Sequence, residues 1–259
     1  MKLLITNDDG YDADGIRVLA EVLTEAGNDV WTIAPDRNRS AVSHGITWMR
    51  EPHKFVKRGE KTYSCSGLPA DCAIAGLRGD LIPFKPDAVI SGINKGANIG
   101  TDILYSGTAA AARQASMYGV PGIALSVESR DDEWKYEALA KFAAANLPQL
   151  VSVAVPANSD GTKPDRDCCF ANVNALSLDA YSGVAIADEL VFREYHASVH
   201  MLKAPDGNTY GFFCGGEIES TSGSESCDFT VCEKGFIAVS RVYAEPHTSR
   251  IMDDISFTL

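Results

Sequence analysis

Leu3, Leu4 and Ile5 begin the chain as an unbroken aliphatic run, Thr6 closes it, and polarity arrives at once in Asn7-Asp8-Asp9-Gly10. A run without polar alternation predicts a short strand buried on both faces, as in a parallel sheet. Ile16, Leu19, Ala20, Val22 and Leu23 then recur at helical spacing, and Gly27 suits the stop. Asp29–Ala34 reads as a second strand ending at Pro35. A β-α-β start with so short a first connection predicts a doubly wound parallel sheet. Pro86–Ser91 and Gly122–Ser126 supply further buried strands. Helices are expected from the start Gly67-Leu68-Pro69-Ala70-Asp71-Cys72, over Ala109–Met117 and over Asp131–Leu147. Residues 46–66 carry only short β-like runs, Ile46–Met49 and Lys61–Ser66, expected as an excursion rather than a central strand.

Beyond Pro148 the pattern changes. Phe170–Val173, Leu190–His196, Thr209–Phe213 and Phe236–Val242 are β-rich runs separated by Gly, Ser and Asp clusters, which predicts a β-ribbon extension built onto the core. His196 and His200 are four apart, but Val191, Phe192, Tyr195 and Val199 around them read as strand, which argues against a zinc pair on a helix face. Thr221–Asp228 is a polar loop with no chemistry assigned to it.

Composition narrows the partners. A chain of 259 residues, 45% apolar and 22% charged, suits one large α/β domain or a core with an appendage. The net charge of −12 argues against a nucleic-acid polymer, which needs a basic stripe. A small anionic substrate stays open, because a metal ion and a few local cations can reverse the field within a site. Apolar stretches such as Leu150–Val155 are strand-sized, so no membrane span is expected. The N-terminus does not read as a signal peptide. Seven cysteines, an odd number without zinc-type spacing, suit the free thiols of a reducing compartment, and the cytoplasm is expected.

In open α/β sheets, ligands bind outside the carboxyl ends of the strands. Four polar segments fall there: Asp8 and Asp9 after the first strand, Ser40 after the second, Asn94 with Asn98 after the third, and the helix start Ser106-Gly107-Thr108. Singly, each has an ordinary reading. Asp8-Asp9-Gly10 could be a solvated turn, Ser40 part of an exposed loop, and Ser106 an N-cap; Asp71 could serve only its own helix start. Together, two carboxylates, a hydroxyl and an amide oxygen form an all-oxygen set suited to Mg²⁺ or Mn²⁺ rather than zinc. The glycine-rich loop Gly92–Gly100 and the helix start would receive phosphate oxygens. Positioning and electrostatics then supply most of the catalysis in phosphoryl transfer.

Four stretches resemble, in their order and spacing, the SurE family (survival protein E) of metal-dependent 5′/3′-nucleotidases. They are Asn7-Asp8-Asp9-Gly10, Ala34-Pro35-Asp36 through Arg39-Ser40-Ala41, Ser91-Gly92-Ile93-Asn94 through Gly96 and Asn98, and Tyr105-Ser106-Gly107-Thr108. The resemblance is specific over the first half of the chain and loose beyond it. It implies a Rossmann-like, three-layer, doubly wound and mostly parallel sheet with a C-terminal β-ribbon extension. One domain would span residues 1–259, with the core and metal site in 1–150 and the remaining core strands and oligomerisation ribbon in 151–259. It further implies phosphomonoesterase activity on nucleoside monophosphates and one divalent cation per subunit. Homodimers or homotetramers would exchange C-terminal β elements. Asp8, Asp9, Ser40 and Asn94 correspond to the family's metal ligands, and Asn98, Ser106, Gly107 and Thr108 to its phosphate-side groups. Departures fall at Leu68, at Ser43-His44-Gly45 and at Asn172-Val173-Asn174-Ala175-Leu176, where the family more often has Thr, Gly-His-Ser and a closing proline; none removes a proposed ligand.

Other classes share pieces of this pattern. A response-regulator receiver needs a phosphoacceptor at the carboxyl end of the third strand, yet Asp87 begins that strand and Asn94 lies beyond it. Aspartyl-phosphate phosphatases space nucleophile and acid two residues apart, whereas Asp8 and Asp9 are adjacent. A nucleotide-binding module without turnover is the remaining alternative. For a hydrolase, Asp9 could guide the proton of the attacking water, and His44 and Lys95 are the nearby candidates for protonating the leaving oxygen.

Overall fold

Leu3, Leu4 and Ile5 are fully buried on β1 (Lys2–Thr6), which pairs in parallel with β2 (Asp29–Pro35) on one side and β5 (Ala88–Lys95) on the other. The computed structural model describes residues 1–158, 160, 162, 167–221 and 223–247. Around β1 grows a nine-stranded sheet. From the centre toward one edge come β2, β4 (Thr62–Cys65) and β3 (Phe55–Lys57). Toward the other come β5, β6 (Gly122–Glu128), β7 (Cys169–Leu176), β13 (Phe236–Tyr243) and β8 (Gly183–Ile186). The six strands from β4 to β7 run parallel; β3 and β13 are antiparallel to their inner neighbours.

Alternation along β1 assigns the layers, because successive side chains of a strand point to opposite faces. Leu3 and Ile5 pack with α1 (Asp14–Glu25), α4 (Glu137–Ala145) and α5 (Leu147–Val153). Leu4 joins Ile33, Val89, Cys72 and Ala115 beneath α2 (Pro69–Arg78) and α3 (Gly107–Met117). The result is the expected three-layer, doubly wound α/β arrangement. No helix among the described residues is long and apolar enough to cross a membrane.

Several local expectations change. Ile46–Met49 forms no strand; the Asp71 carboxylate accepts from the Thr47 and Trp48 amides, so that segment finds its partners in a side chain instead of a ladder. Lys61–Ser66 contributes β4 to the main sheet near its edge rather than an excursion from it. Residues 131–136 are not helical: Ser129 Oγ accepts the Asp131 amide and Asp131 Oδ1 accepts the Glu133 amide, local bonds that compete with a helix. The run Leu150–Val155 is helical through Val153, burying Leu147 and Leu150. Phe170–Val173 and Phe236–Val242 are paired strands of the main sheet, so the extension itself is smaller. It consists of β9 (Phe192–Tyr195) with β12 (Ile218–Thr221), and of the hairpin β10 (Ser198–Lys203) with β11 (Thr209–Cys214). The polar run at 221–228 leads into α6 (Asp228–Glu233), whose first residue is fully buried.

Candidate active site

Asn7 shapes the turn that presents the acidic pair. Its Nδ2 donates to the Gly10 carbonyl at 2.7 Å and its Oδ1 accepts the Gly10 amide at 3.2 Å, while Gly10 sits at φ +119°, where a Cβ would be strained. Asp8 is 3% exposed and Asp9 is half-buried. Thr108 Oγ1 donates to Asp8 Oδ1 at 2.5 Å. Asp9 Oδ2 accepts the Lys95 amide at 3.0 Å, and Asn38 Nδ2 reaches Asp9 Oδ1 at 3.4 Å. Burial lifts the Asp8 carboxyl to about 6 against the Thr108 bond, and the Asp9 charge adds to the rise. Burial also lifts Asp9, opposed by the Lys95 amide and charge. Two carboxylates are thus held together where neither is fully compensated.

The carboxyl end of β5 supplies the amide groups. Ser91 pairs with Ala124, and the next match is Asn94 with Ser126, so the strand carries one extra residue against β6. Such a bulge re-aims the side chains after it. Asn94 is buried, and its Nδ2 is tied to the Gly96 carbonyl at 2.8 Å, which presents Oδ1 as the acceptor. Asn98 is held on all sides. Its amide donates to Asn174 Oδ1, its Nδ2 to Ser126 Oγ, and its carbonyl accepts from Asn172 and Asn174.

The start of α3 closes the arrangement. Ser106 Oγ accepts the Ala109 amide at 2.9 Å, the N-cap bond expected from the sequence. Gly107 lies so close to the acid that a Cβ there would meet Asp8 Cβ at 2.8 Å and Asp8 Oδ2 at 2.9 Å. Thr108 is fully buried with its hydroxyl committed to Asp8.

One cavity of about 220 Å³ is lined by Asp8, Ser40, Asn94, Asn98 and Ser106, with Lys95, Asp102, Tyr105 and Tyr195 among its other walls. Asp9, Gly107 and Thr108 lie against Asp8 and the Lys95 backbone rather than on its lining. Ser40 is exposed, its amide bonded to Asn38 Oδ1. His44 is elsewhere: its Nε2 meets Gln114 Oε1 at 2.9 Å in a separate cavity with Arg113 and Met117, and burial lowers its pKa. The Lys95 ammonium rests 5.0 Å from the Trp134 ring centre. His196 pairs with Glu219 and His200 lies on β10 opposite Phe212, so the two do not share a helix face. Asp87 bonds the Lys2 amide at the amino end of β1, the wrong end for a receiver's phosphoacceptor.

Sequence reading missed Asp102, Arg193 and Tyr195. Arg193 Nη1 donates to Asp102 Oδ2 at 2.5 Å and Tyr195 Oη to Asp102 Oδ1 at 2.6 Å, which brings β9 to the cavity from more than ninety positions away. It also missed the Asn172 and Asn174 clamp, although two amides spaced i and i+2 in an apolar strand signal one polar face.

The donor set fits a hard divalent cation on chemical grounds. It offers two undercompensated carboxylates, the Asn94 Oδ1 left open by its own amide bond, and the Ser40 hydroxyl, all oxygen.

Comparison with known proteins finds relatives over most of the chain. The family model described as "Survival protein SurE" matches residues 3–193. A 5′-nucleotidase SurE of Treponema pallidum is 44% identical over 192 residues, 72% of this chain and 96% of that protein. One from Geotalea daltonii is 35% identical over 249 residues, covering 95% and 94% of the two chains. The crystal structure of the SurE protein from Aquifex aeolicus superposes with a TM-score of 0.75 at 31% identity, over 95% of this chain and 94% of that one.

Proposed function

The chain belongs to the SurE family, and we propose that it is a phosphatase of nucleoside 5′-monophosphates that works with one divalent cation, Mg²⁺ or Mn²⁺, per subunit. Asp8, Asp9, Ser40 and Asn94 would hold the cation; Asn98, Ser106, Gly107 and Thr108 would form the phosphate side. The observation that carries this reading is the contact between the acidic turn and the start of α3, where the Thr108 hydroxyl meets Asp8. An ion site and an anion site thereby share one corner of one cavity.

The residues divide the work. When bound, a divalent cation supplies the positive charge that draws phosphate oxygens in and acidifies an attacking water. Thr108 fixes the Asp8 carboxylate, and the Lys95 amide fixes that of Asp9, so neither must reorganise when substrate arrives. Ser106 caps the helix by accepting the Ala109 amide, which fixes the helix start whose positive dipole end would face the phosphate. Asn98 stays in place because Asn174 and Asn172 grip its backbone and Ser126 its side chain.

Phosphate release from AMP and GMP, with Mn²⁺ or Mg²⁺ and then with EDTA, tests the proposal. Turnover that stops with the chelator and returns with metal is expected. Unchanged turnover in EDTA would refute the cation, and binding without release under every condition would leave a nucleotide-binding module. Gly107→Ala tests the shared corner separately. Its methyl group must displace Asp8 or α3, and a loss of about a hundredfold in kcat/KM is expected, as for misplacement of a reacting group by roughly 1 Å.

The family assembly is proposed here too. The β10–β11 hairpin exposes Met201, Leu202, Phe212 and Phe213, a surface that suits contact with a second copy in a homodimer or homotetramer. A single domain over residues 1–259 and a cytoplasmic location complete the proposal, the latter resting on the odd complement of seven cysteines.

A further inference from the structure

Tyr105 and Tyr195 line the same cavity as Asp8 and Ser106, yet have no part in holding the ion or the phosphate. Tyr105 is 60% exposed and Tyr195 47%, so both turn aromatic surface outward at its mouth. Tyr105 is fixed through its backbone. The Tyr105 amide donates to the Asp102 carbonyl at 3.0 Å, and the Tyr105 carbonyl accepts the Ser43 amide at 2.9 Å. The Ser43 hydroxyl donates to the neighbouring Leu104 carbonyl at 2.6 Å. Tyr195 is fixed from its other end, through its hydroxyl on Asp102. Asp102 is itself buried and held by Arg193. Burial and the Asp102 carboxylate raise the Tyr195 phenol to about 12, so it remains a donor at neutral pH.

Tyr105 directly precedes Ser106 and Tyr195 lines the same cavity, so both rings are among the walls that the organic group of a phosphate at the start of α3 would meet. At about 220 Å³ the cavity is smaller than the roughly 300–1,000 Å³ usual for whole small-molecule sites, so that group reaches the rim. The Tyr195 ring, anchored through its hydroxyl, and the exposed Tyr105 ring on a fixed backbone favour a flat π-faced group there, and a sugar alone offers no such face. We infer that Tyr105 and Tyr195 form the nucleobase wall of the site, with Asp102 as the positioning residue that fixes the Tyr195 ring. The inference rests on the phosphatase reading above and adds to it where the base sits. Stacking tolerates any base, so purine and pyrimidine monophosphates are accepted alike, while the same ester without a base is handled poorly.

The test is the ratio of kcat/KM for AMP to that for ribose 5-phosphate, which share the reacting ester. Tyr105→Ala and Tyr195→Ala are each expected to lower this ratio about tenfold, chiefly through KM for AMP. Tyr105→Phe, which keeps the ring, is expected to hold it within about twofold. Asp102→Ala should follow Tyr195→Ala, raising KM for AMP while kcat on AMP and KM for ribose 5-phosphate change little. Ratios in both alanine variants within about twofold of the unsubstituted protein would overturn the inference, and so would equal efficiency on AMP and ribose 5-phosphate before any substitution. Should Tyr195→Ala fail to fold, Tyr105→Ala at its exposed position decides alone. A protein inactive on both esters would instead count against the phosphatase reading.

Discussion

Asp8→Asn is expected to abolish turnover and at the same time make the metal-free protein harder to unfold. The carboxylate is 3% exposed, stands beside Asp9, and sits well above its ordinary pKa even though the Thr108 hydroxyl and the Asp8 and Thr108 amides bond it. A buried charge so incompletely compensated costs the fold free energy that a neutral amide of the same shape does not. Asparagine keeps an oxygen for Thr108 and removes the repulsion with Asp9. The expected gain is on the order of 2 kcal/mol, which for a chain of this size is a rise in Tm of about 5 °C. Adding Mn²⁺ should reverse the order of the two proteins. An ion at about a hundred times its Kd stabilises the native state by roughly 2.7 kcal/mol, and the asparagine variant forfeits most of that. Calorimetry of both proteins, with and without Mn²⁺, gives all four values. A variant that melts below the parent in EDTA would mean that Asp8 is structural. A variant that still gains from Mn²⁺ would put the ion elsewhere.

That trade also explains which parts of the molecule could be read from the chain. Leu3-Leu4-Ile5 could be placed because a run without alternation has one economical location, the middle of a parallel sheet, and burial confirms it. The Ser106 cap was legible because capping is local chemistry, completed three residues on by the Ala109 amide. Where partners are distant, the pattern was silent or misleading. Ile46–Met49 has strand-like composition, but its amides answer to Asp71, more than twenty positions away. The helix expected from Asp131 fails because Ser129 and Asp131 take nearby amides first. Asp228 looked like a loop acid, yet it binds the Gly100 and Val191 amides and ties α6 to the segment that carries Asp102.

The candidate site shows the same division more sharply. Asp8, Ser40, Asn94, Asn98 and Ser106 each follow a buried strand or open a helix, positions that the topology brings to one edge of a doubly wound sheet. Tyr195 and Arg193 obey no such rule. They arrive on a ribbon outside the main sheet, and only the bonds to Asp102 show that they belong. Thr108 reads from its motif as a phosphate-side hydroxyl; its contact with Asp8 required coordinates, because a hydrogen bond across a hundred positions leaves no periodicity.

Replacing Met201 and Phe213 together by glutamate is expected to convert the proposed homo-oligomer into monomers without unfolding the core. Cross-strand pairing puts Val199 opposite Phe213, so Val199, Met201 and Phe213 share one face of the β10–β11 hairpin, and Leu202 with Tyr210 and Phe212 the other. Phe213 is 81% exposed and Met201 63%, and the hairpin pairs with no strand of the main sheet. An isolated two-stranded hairpin is at best marginally stable in water, and one with apolar side chains on both faces is less suited to solvent still. The proposed contact with a second copy would resolve both difficulties at once, burying the faces and ordering the strands. Two adjacent carboxylates on one face would forfeit that contact at the centre of the patch, where interface energy concentrates. Light scattering after size exclusion gives the mass directly, and far-ultraviolet circular dichroism reports whether the nine-stranded sheet survives. An unchanged mass would mean that the hairpin is not the contact. Monomers with retained turnover would further separate assembly from catalysis, as expected if Asp8, Asn94 and Ser106 all come from one chain.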